Sequence, residues 1–412
     1  MSLSDAGADV AILRSLRAHK PTVWLKPVDT IARVRPTLDP ITLADIADAV
    51  ARMNRFRPAL RLLFPKSGWD GQVRSPLLDY PKPGFADSRI LVKADHALPM
   101  TGSIKARGGV YELLCRIERI ALDEKLVDVG EDYDALTRHA AAEAFGRRTV
   151  AVSSTGNLGF SIGLVARAFG LKAQVHMSRD AKTWKKERLT HLGAEVVEHD
   201  CDFTETVARG RSASLASGAE FIDDETSRDL MIGYAMAADE VLAQLRGRLI
   251  KPTPANPLIV YLPCGVGGAP GGVTWGLKAR LGDAVRCVFV EPVASAGMMV
   301  ALSGGRFCAT SVYDVGLDNN TLADGLAVPR PSQLVLDLVG DQIDAAVALP
   351  DTAMVDWVRR AWRDAGLRLE PSAAAALAAV EPFLAAQPHL SSAYQVAWTT
   401  GGALLPESEF AP

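Results

Sequence analysis

An α/β fold with open, mostly parallel sheets is what this sequence predicts, and two observations carry the prediction. From Thr149 onward, short apolar runs alternate with segments of helical periodicity, the order that lays parallel strands under helical cover. Several of the turns behind those runs are rich in glycine or small polar residues, and such turns are where open α/β sheets bind ligands.

The elements follow in order. "TLADIADAVARMNRFRPALRLLF" (42–64) predicts an amphipathic helix in an otherwise irregular N-terminal region. "RILVK" (89–93) predicts a strand, and Val110, Leu113, Leu114 and Ile117 mark the buried face of the helix after it. "TVAVS" (149–153) predicts a strand, and Leu158, Ile162, Val165 and Phe169 recur at helical spacing behind it. "KAQVHM" then predicts a strand, "AKTWKKERLTHLG" a helix closed by Gly193, and "AEVVEH" another strand. "FTETVARGRSASLASG" and "AEFID" repeat the pair, and "LIVYLP" and "RCVFVEP" supply two strands further on. The basic run Lys182, Lys185, Lys186 and Arg188 reads as a solvated helix face, because no aromatic stripe accompanies it.

Composition narrows the class. The chain has 412 residues, enough for two or three units with cores of their own, and 48% hydrophobic with 23% charged residues is ordinary for a globular protein. A formal charge of −3 exerts no long-range pull on nucleic acid or acidic membranes. No apolar run approaches the ~18 to 20 residues of a membrane span, and "MSLSDAGADV" does not read as a secretory signal. The five cysteines are scattered with no CxxC pair, which speaks against zinc and disulfide frameworks and suits a reducing cytoplasm.

Four segments stand where chemistry is expected. "TGSIKARGG" (101–109) places Lys105 among small residues with no acid inside the stretch, although a surface lysine in a first helical turn would look the same. "SSTGNLG" (153–159) offers a nest of backbone N–H groups at a helix start, suited to a carboxylate or phosphate, or Thr155 or Asn157 simply caps the helix. "CGVGGAPGG" (264–272) lets a small phosphate approach the backbone, and it meets neither the P-loop nor the GxGxxG spacing. "WTTGG" (398–402) is a strand-end turn with a hydroxyl at Thr400. One hypothesis accounts for all four: an unpaired lysine for an aldehyde, a cradle for its phosphate and a nest for a substrate carboxylate describe pyridoxal 5′-phosphate and an amino acid.

"GSIKARGG", "STGNLG", "CGVGG", "DGLAV" and "TTGG" resemble the fold type II pyridoxal-phosphate enzymes, which share the tryptophan synthase β-like fold. From "TVWLKP" through "KTWKK", "FIDDETSRDL" and "LRLEPSA" to "TTGGALLPE", the chain more narrowly resembles the bacterial D-serine dehydratase (D-serine ammonia-lyase) family. The resemblance implies a large cofactor-binding domain from 1–146 and 223–412, a small α/β domain from 147–222, and the cofactor in the cleft between them. It implies that Lys105 binds the cofactor aldehyde, Asn157 its 3′-oxygen, and Gly265, Val266, Gly267 and Gly268 its phosphate. Thr155 would face the substrate carboxylate, Thr400 the pyridine nitrogen, and Gly325 the pocket. Asp224 and the cofactor phosphate are both candidates for protonating the leaving hydroxyl. Glu291 resembles a position that binds a monovalent cation such as K+ in many relatives, or it is a strand-end carboxylate with a structural partner. His96 is expected as a structural hydrogen-bonder. The implied reaction is elimination of water from D-serine, with D-threonine dehydration, racemisation, β-substitution and non-catalytic binding as alternatives. Partners are expected to be small molecules only, with a monomer or homodimer in the cytoplasm.

Overall fold

The computed structural model describes residues 9–27, 40–66, 68–81, 89–154, 156–179, 181–201, 203–305 and 308–410. Eleven strands run through them: β1 (Thr22–Leu25), β2 (Leu77–Asp79), β3 (Arg89–Ala94), β4 (Thr149–Ser153), β5 (Lys172–Ser178), β6 (Glu195–His199), β7 (Glu220–Ile222), β8 (Leu258–Pro263), β9 (Val285–Pro292), β10 (Ala345–Leu349) and β11 (Tyr394–Thr399). They build two sheets. The larger has the order β1-β10-β9-β8-β11-β3-β2 and the smaller β6-β5-β4-β7.

The five inner strands of the large sheet are parallel, and β1 and β2 close its edges in antiparallel register, Val23 opposite Val347 and Leu78 opposite Val92. All four strands of the small sheet are parallel. In the large sheet β8 and β10 are buried at every position, because helices cover both faces; that is why they read as unbroken apolar runs.

Local chemistry explains the helix boundaries. The Leu43–Leu63 helix starts at Thr42, which forms a capping box with Asp45: the Thr42 hydroxyl accepts from the Asp45 N–H (3.2 Å), and the Asp45 carboxylate accepts from the Thr42 N–H (2.7 Å). The Asn157–Phe169 helix ends at Gly170 in the left-handed region (φ 94°). Among the described residues, no helix is long and apolar enough to cross a membrane.

The glycines behind Lys105 serve helix packing. A Cβ on Gly108 would lie 2.3 Å from Tyr234 Cε2 and 2.6 Å from the Leu230 carbonyl oxygen, so the Gly108–Asp123 helix can cross the Arg228–Ala235 helix only without a side chain there. Gly108→Ala is therefore expected to cost about 1–3 kcal/mol in chemical denaturation. Gly146→Ala, whose new Cβ would meet nothing closer than 3.9 Å, is the matched control and should be neutral or slightly stabilising.

The basic run does not form a solvated face. Lys185 pairs with Asp324 at 2.5 Å and is only 14% exposed, and Lys182 pairs with Glu409 at 2.9 Å. The Arg188 guanidinium stacks 3.6 Å above the Phe160 ring and donates to the Leu404 carbonyl (3.2 Å). The contacts to Asp324, Glu409 and Leu404 fasten the Thr183–His191 helix, which flanks the small sheet, to loops of the large one. Their acceptors stand 139 and 227 residues from the lysines in the chain, so local charge patterning could not reveal them.

Candidate active site

The carboxyl ends of both sheets face one cleft. Lys105 follows β3, Asn157 follows β4, Asp224 follows β7, the 265–268 loop follows β8 and Thr400 follows β11, and all of them line it. The two sheets thus bring together residues from five separate strand ends, the arrangement expected of open α/β folds.

Lys105 sits in a short 3-10 turn, Ile104–Ala106, tied to the end of β11: the Ile104 N–H donates to the Thr400 carbonyl (2.8 Å), and Ser103 bridges Gly401. Among the described residues no carboxylate forms an ion pair with its amine; the nearest aromatic neighbour is Tyr234, with Nζ 5.8 Å from the ring centroid. Burial lowers the Lys105 pKa below its ordinary value, and Asp224, Cys264 and Glu370 oppose the shift without cancelling it.

Asp224 shifts the other way. Burial raises its pKa and the neighbouring Asp223 adds to the rise, against the pull of Lys105. Both groups are thereby pushed toward their neutral forms, the amine toward a nucleophile or base and the carboxyl toward a proton donor. Asp223 instead braces the loop, accepting from the Glu225 N–H (3.1 Å) and from Arg211 Nε (3.0 Å).

Two helix N-termini point at the cleft. Gly267, at φ 108°, caps the Gly268–Leu281 helix, a left-handed conformation that costs a non-glycine residue strain. Among the described residues nothing accepts from the N–H groups of Gly265, Val266, Gly267, Gly268 or Ala269. Five free amides at the positive end of a 14-residue helix form a cradle for a phosphate. The Asn157–Phe169 helix starts beside them, its Asn157, Leu158 and Gly159 amides likewise without an acceptor among the described residues. Thr155 lies outside the described residues; Ser154 and Gly156 on either side line the cleft, and the Gly156 N–H donates to Ser154 Oγ (3.2 Å).

Glu291 takes no part in this cleft. Its two carboxylate oxygens accept from the Met298 and Met299 N–H groups at 2.8 Å each, making it the cap of the Gly297–Ser303 helix. Burial raises its pKa to about 8. No cluster of three His, Cys, Asp or Glu side chains suited to a metal ion occurs among the described residues. His96 Nδ1 lies 2.7 Å from Thr399 Oγ1 in the core, where burial lowers its pKa to about 4.

Sequence reasoning passed over Glu370. It lies in the cleft wall beside Gly325 and Ser372, and its carboxyl accepts from Asn157 Nδ2 at 2.8 Å. Burial, reinforced by Asp324, raises its pKa to about 7. Its position before Pro371 reads as a plain helix start, and the bond partner is 213 residues away.

An amine without an ion pair, a free amide cradle and a carboxamide in one cleft fit the aldehyde, phosphate and ring oxygen of pyridoxal 5′-phosphate. Residues 69–401 match the family model described as pyridoxal-phosphate dependent enzyme, and the chain belongs to that family. Its relatives include two named "Probable D-serine dehydratase". The protein from Rhizobium etli is 41% identical, covering 95% of this chain and 92% of its own. That from Cupriavidus pinatubonensis is 43% identical, covering 97% and 93%. The fold is shared with Escherichia coli diaminopropionate ammonia lyase (TM-score 0.72, 19% identity, 93% of this chain and 94% of that one). Maize serine racemase shares it as well (TM-score 0.68, 20% identity, 90% and 96%).

Proposed function

We propose that this chain removes water from D-serine and releases pyruvate and ammonia, using pyridoxal 5′-phosphate. The observation that carries the chemistry is geometric: one cleft is lined by Lys105, which has no ion pair among the described residues, by Asp224, by Asn157 and by the free amides of residues 265–269. Burial there favours the neutral forms of Lys105 and Asp224. The choice of D-serine rests on relatives of that name at about 40% identity along nearly the whole chain.

The amides of Gly265–Ala269 would hold the phosphate, Asn157 the ring hydroxyl oxygen and the Thr400 hydroxyl the ring nitrogen. When bound there, the cofactor supplies an aldehyde for Lys105 and for the substrate amine, and a ring that withdraws electrons from the substrate α-carbon. The amide nest at the start of the Asn157–Phe169 helix receives the substrate carboxylate, the group that the family resemblance also assigns to Thr155. Lys105 Nζ takes the α-proton, which it can do because burial disfavours its own protonation. Asp224 gives its proton to the departing β-hydroxyl, so that water rather than hydroxide leaves as the Cβ–O bond breaks. The released enamine takes up water and divides into pyruvate and ammonia, which balances the water lost.

The test is pyruvate formation with D- and L-serine in parallel on the yellow holoprotein. A clear preference for D-serine in kcat/KM supports the reading, and equal rates or a preference for L-serine sink it. Asp224→Asn should lower kcat for D-serine by about 10²-fold or more with KM little changed. β-Chloro-D-alanine, whose chloride needs no proton to leave, should recover part of that loss. Equal losses on both substrates would make Asp224 a group that orients the site.

A further inference from the structure

We infer that Glu370 is the positioning residue for Asn157, fixing which edge of its carboxamide faces the cofactor; this rests on the reading of Asn157 as a cofactor contact. Asn157 is the first residue of its helix and belongs to the small sheet, whereas Glu370 starts the Pro371–Ala378 helix behind the large one. Their 2.8 Å bond therefore spans the two walls of the cleft.

An amide alone can turn over and exchange its oxygen for its NH2 group. In its carboxylate form Glu370 only accepts, so it holds Nδ2 toward itself, and because burial raises its pKa to about 7 this hold strengthens as the pH rises above 7. No other hydrogen bond engages the Asn157 side chain among the described residues, which leaves the second Nδ2–H for an oxyanion in the cleft.

The C-terminal strand locks Glu370 in turn. The Glu370 N–H donates to the Gly401 carbonyl (3.3 Å). A Cβ on Gly401 would stand 2.3 Å from Glu370 Oε1 and 2.8 Å from Asn157 Nδ2, so the turn after Thr400 lies directly on the bond. Lys185 and Asp324, paired at 2.5 Å, add a second tie between the same two walls, and Asp324 shares the cleft lining with Glu370. Carboxyl, carboxamide and turn form one packed unit next to the residue assigned to the ring nitrogen.

A double-mutant cycle on the full-length holoprotein decides the matter. Cofactor affinity is measured by equilibrium dialysis with pyridoxal 5′-phosphate, without substrate, on Asn157→Ala, Glu370→Met and the pair, each checked for folding by circular dichroism. At pH 8, where Glu370 is largely ionised, Asn157→Ala and Glu370→Met should each weaken binding by about 10-fold or more, since a buried hydrogen bond to a charged group is then at stake. The double variant should match Asn157→Ala within about two-fold at a pH held constant across the series, because the hydrogen bond to Asn157 is the main route by which Glu370 reaches the cofactor site, its field on Lys105 being the smaller one. Glu370→Gln, which still accepts through Oε1, should regain most of the affinity. Losses that multiply in the double variant, or an unchanged Glu370→Met, overturn the inference; should Glu370→Met not fold, Glu370→Ala takes its place in the same cycle. No substrate enters this measurement. Failure to release pyruvate from D-serine would overturn the substrate reading alone, and an additive cycle would overturn the role of Glu370 alone.

Discussion

Lys105→Ala is expected to lower pyruvate formation from D-serine by about 10³-fold or more while leaving the chain folded. The fold should survive because the turn that carries Lys105 is fixed by its backbone: the Ile104 N–H is bonded to the Thr400 carbonyl, and Ser103 bridges Gly401. The ammonium contributes no ion pair whose loss would strand a buried carboxylate among the described residues. Burial works against the charged amine, so removing it relieves a desolvation cost. Activity should collapse because the same group is proposed to be both the nucleophile toward the cofactor aldehyde and the base for the α-proton. Tyr234, which faces its Nζ, has its pKa raised well above the ordinary value by burial and by the nearby Asp224, and so stays protonated. The check is circular dichroism for the fold, visible absorbance for the cofactor linkage and a pyruvate assay for turnover. A variant that keeps both the yellow band and the turnover would remove Lys105 from the mechanism.

How much of this was legible in the sequence depended on how local the signal was. Strands such as β4, β5 and β8 are apolar runs because parallel strands are covered on both faces, and their bounds could be read within a residue or two. The glycine loop at 265–268 announced itself because only glycine tolerates the φ of 108° at Gly267. The edge strands were harder. β1 is four residues long with every second position only half buried, and β2 has three residues, so neither stands out from a loop. The acids at 223 and 224 are chemically identical in sequence, and only the fold turns one toward Arg211 and the other into the cleft. The two glycines after Lys105 look like part of its setting, but the atoms they make way for lie on other helices, Tyr234 and Leu230 for Gly108 and Leu158 for Gly109. Glu370 and the lysines of "KTWKK" share that difficulty: their meaning lies in partners far away along the chain, and pattern reading reaches only a few residues.

Arg107→Met should produce the largest loss of stability, about 3–5 kcal/mol, from a position two residues beyond Lys105. Arg107 lies in a buried polar cluster behind the Lys105 turn. Its guanidinium donates to both oxygens of Asp95 (2.7 and 2.8 Å) and to Glu240 (2.9 Å). Ser75 Oγ and Trp398 Nε1 complete the shell of Asp95 at 2.6 and 2.8 Å, and the fully buried Lys93 bonds the Ser75 carbonyl (2.6 Å) and Glu240. Removing the guanidinium leaves the Asp95 charge buried with only neutral donors in contact, and an unpaired buried charge costs far more than an intact pair contributes.

The pH dependence gives this prediction a signature. Burial alone would raise the Asp95 pKa, but Arg107 overrides it and holds the carboxyl below its ordinary value. A depressed folded-state pKa contributes stability that is present above the unfolded value, about 3.9, and is lost as pH falls through the folded one. In the parent protein the Asp95 contribution should accordingly stay level from pH 5 to 8 and decline only below about 4. Without Arg107, Lys93 and Ser75 are left to oppose burial, so the folded pKa should rise, and the predicted sign reverses once it passes the unfolded value. Stability should then be greatest near the acid end and fall as pH climbs through the raised pKa. Urea unfolding at pH 5 and pH 8 measures both effects: the parent should change little between them from this site, and Arg107→Met should be weaker at pH 8. Asp95→Asn combined with Arg107→Met removes both charges, and it should recover stability relative to Arg107→Met and flatten the profile. A double variant as weak and as pH-dependent as Arg107→Met would mean that the loss came from packing around the guanidinium, and that the Asp95 charge was never the cause.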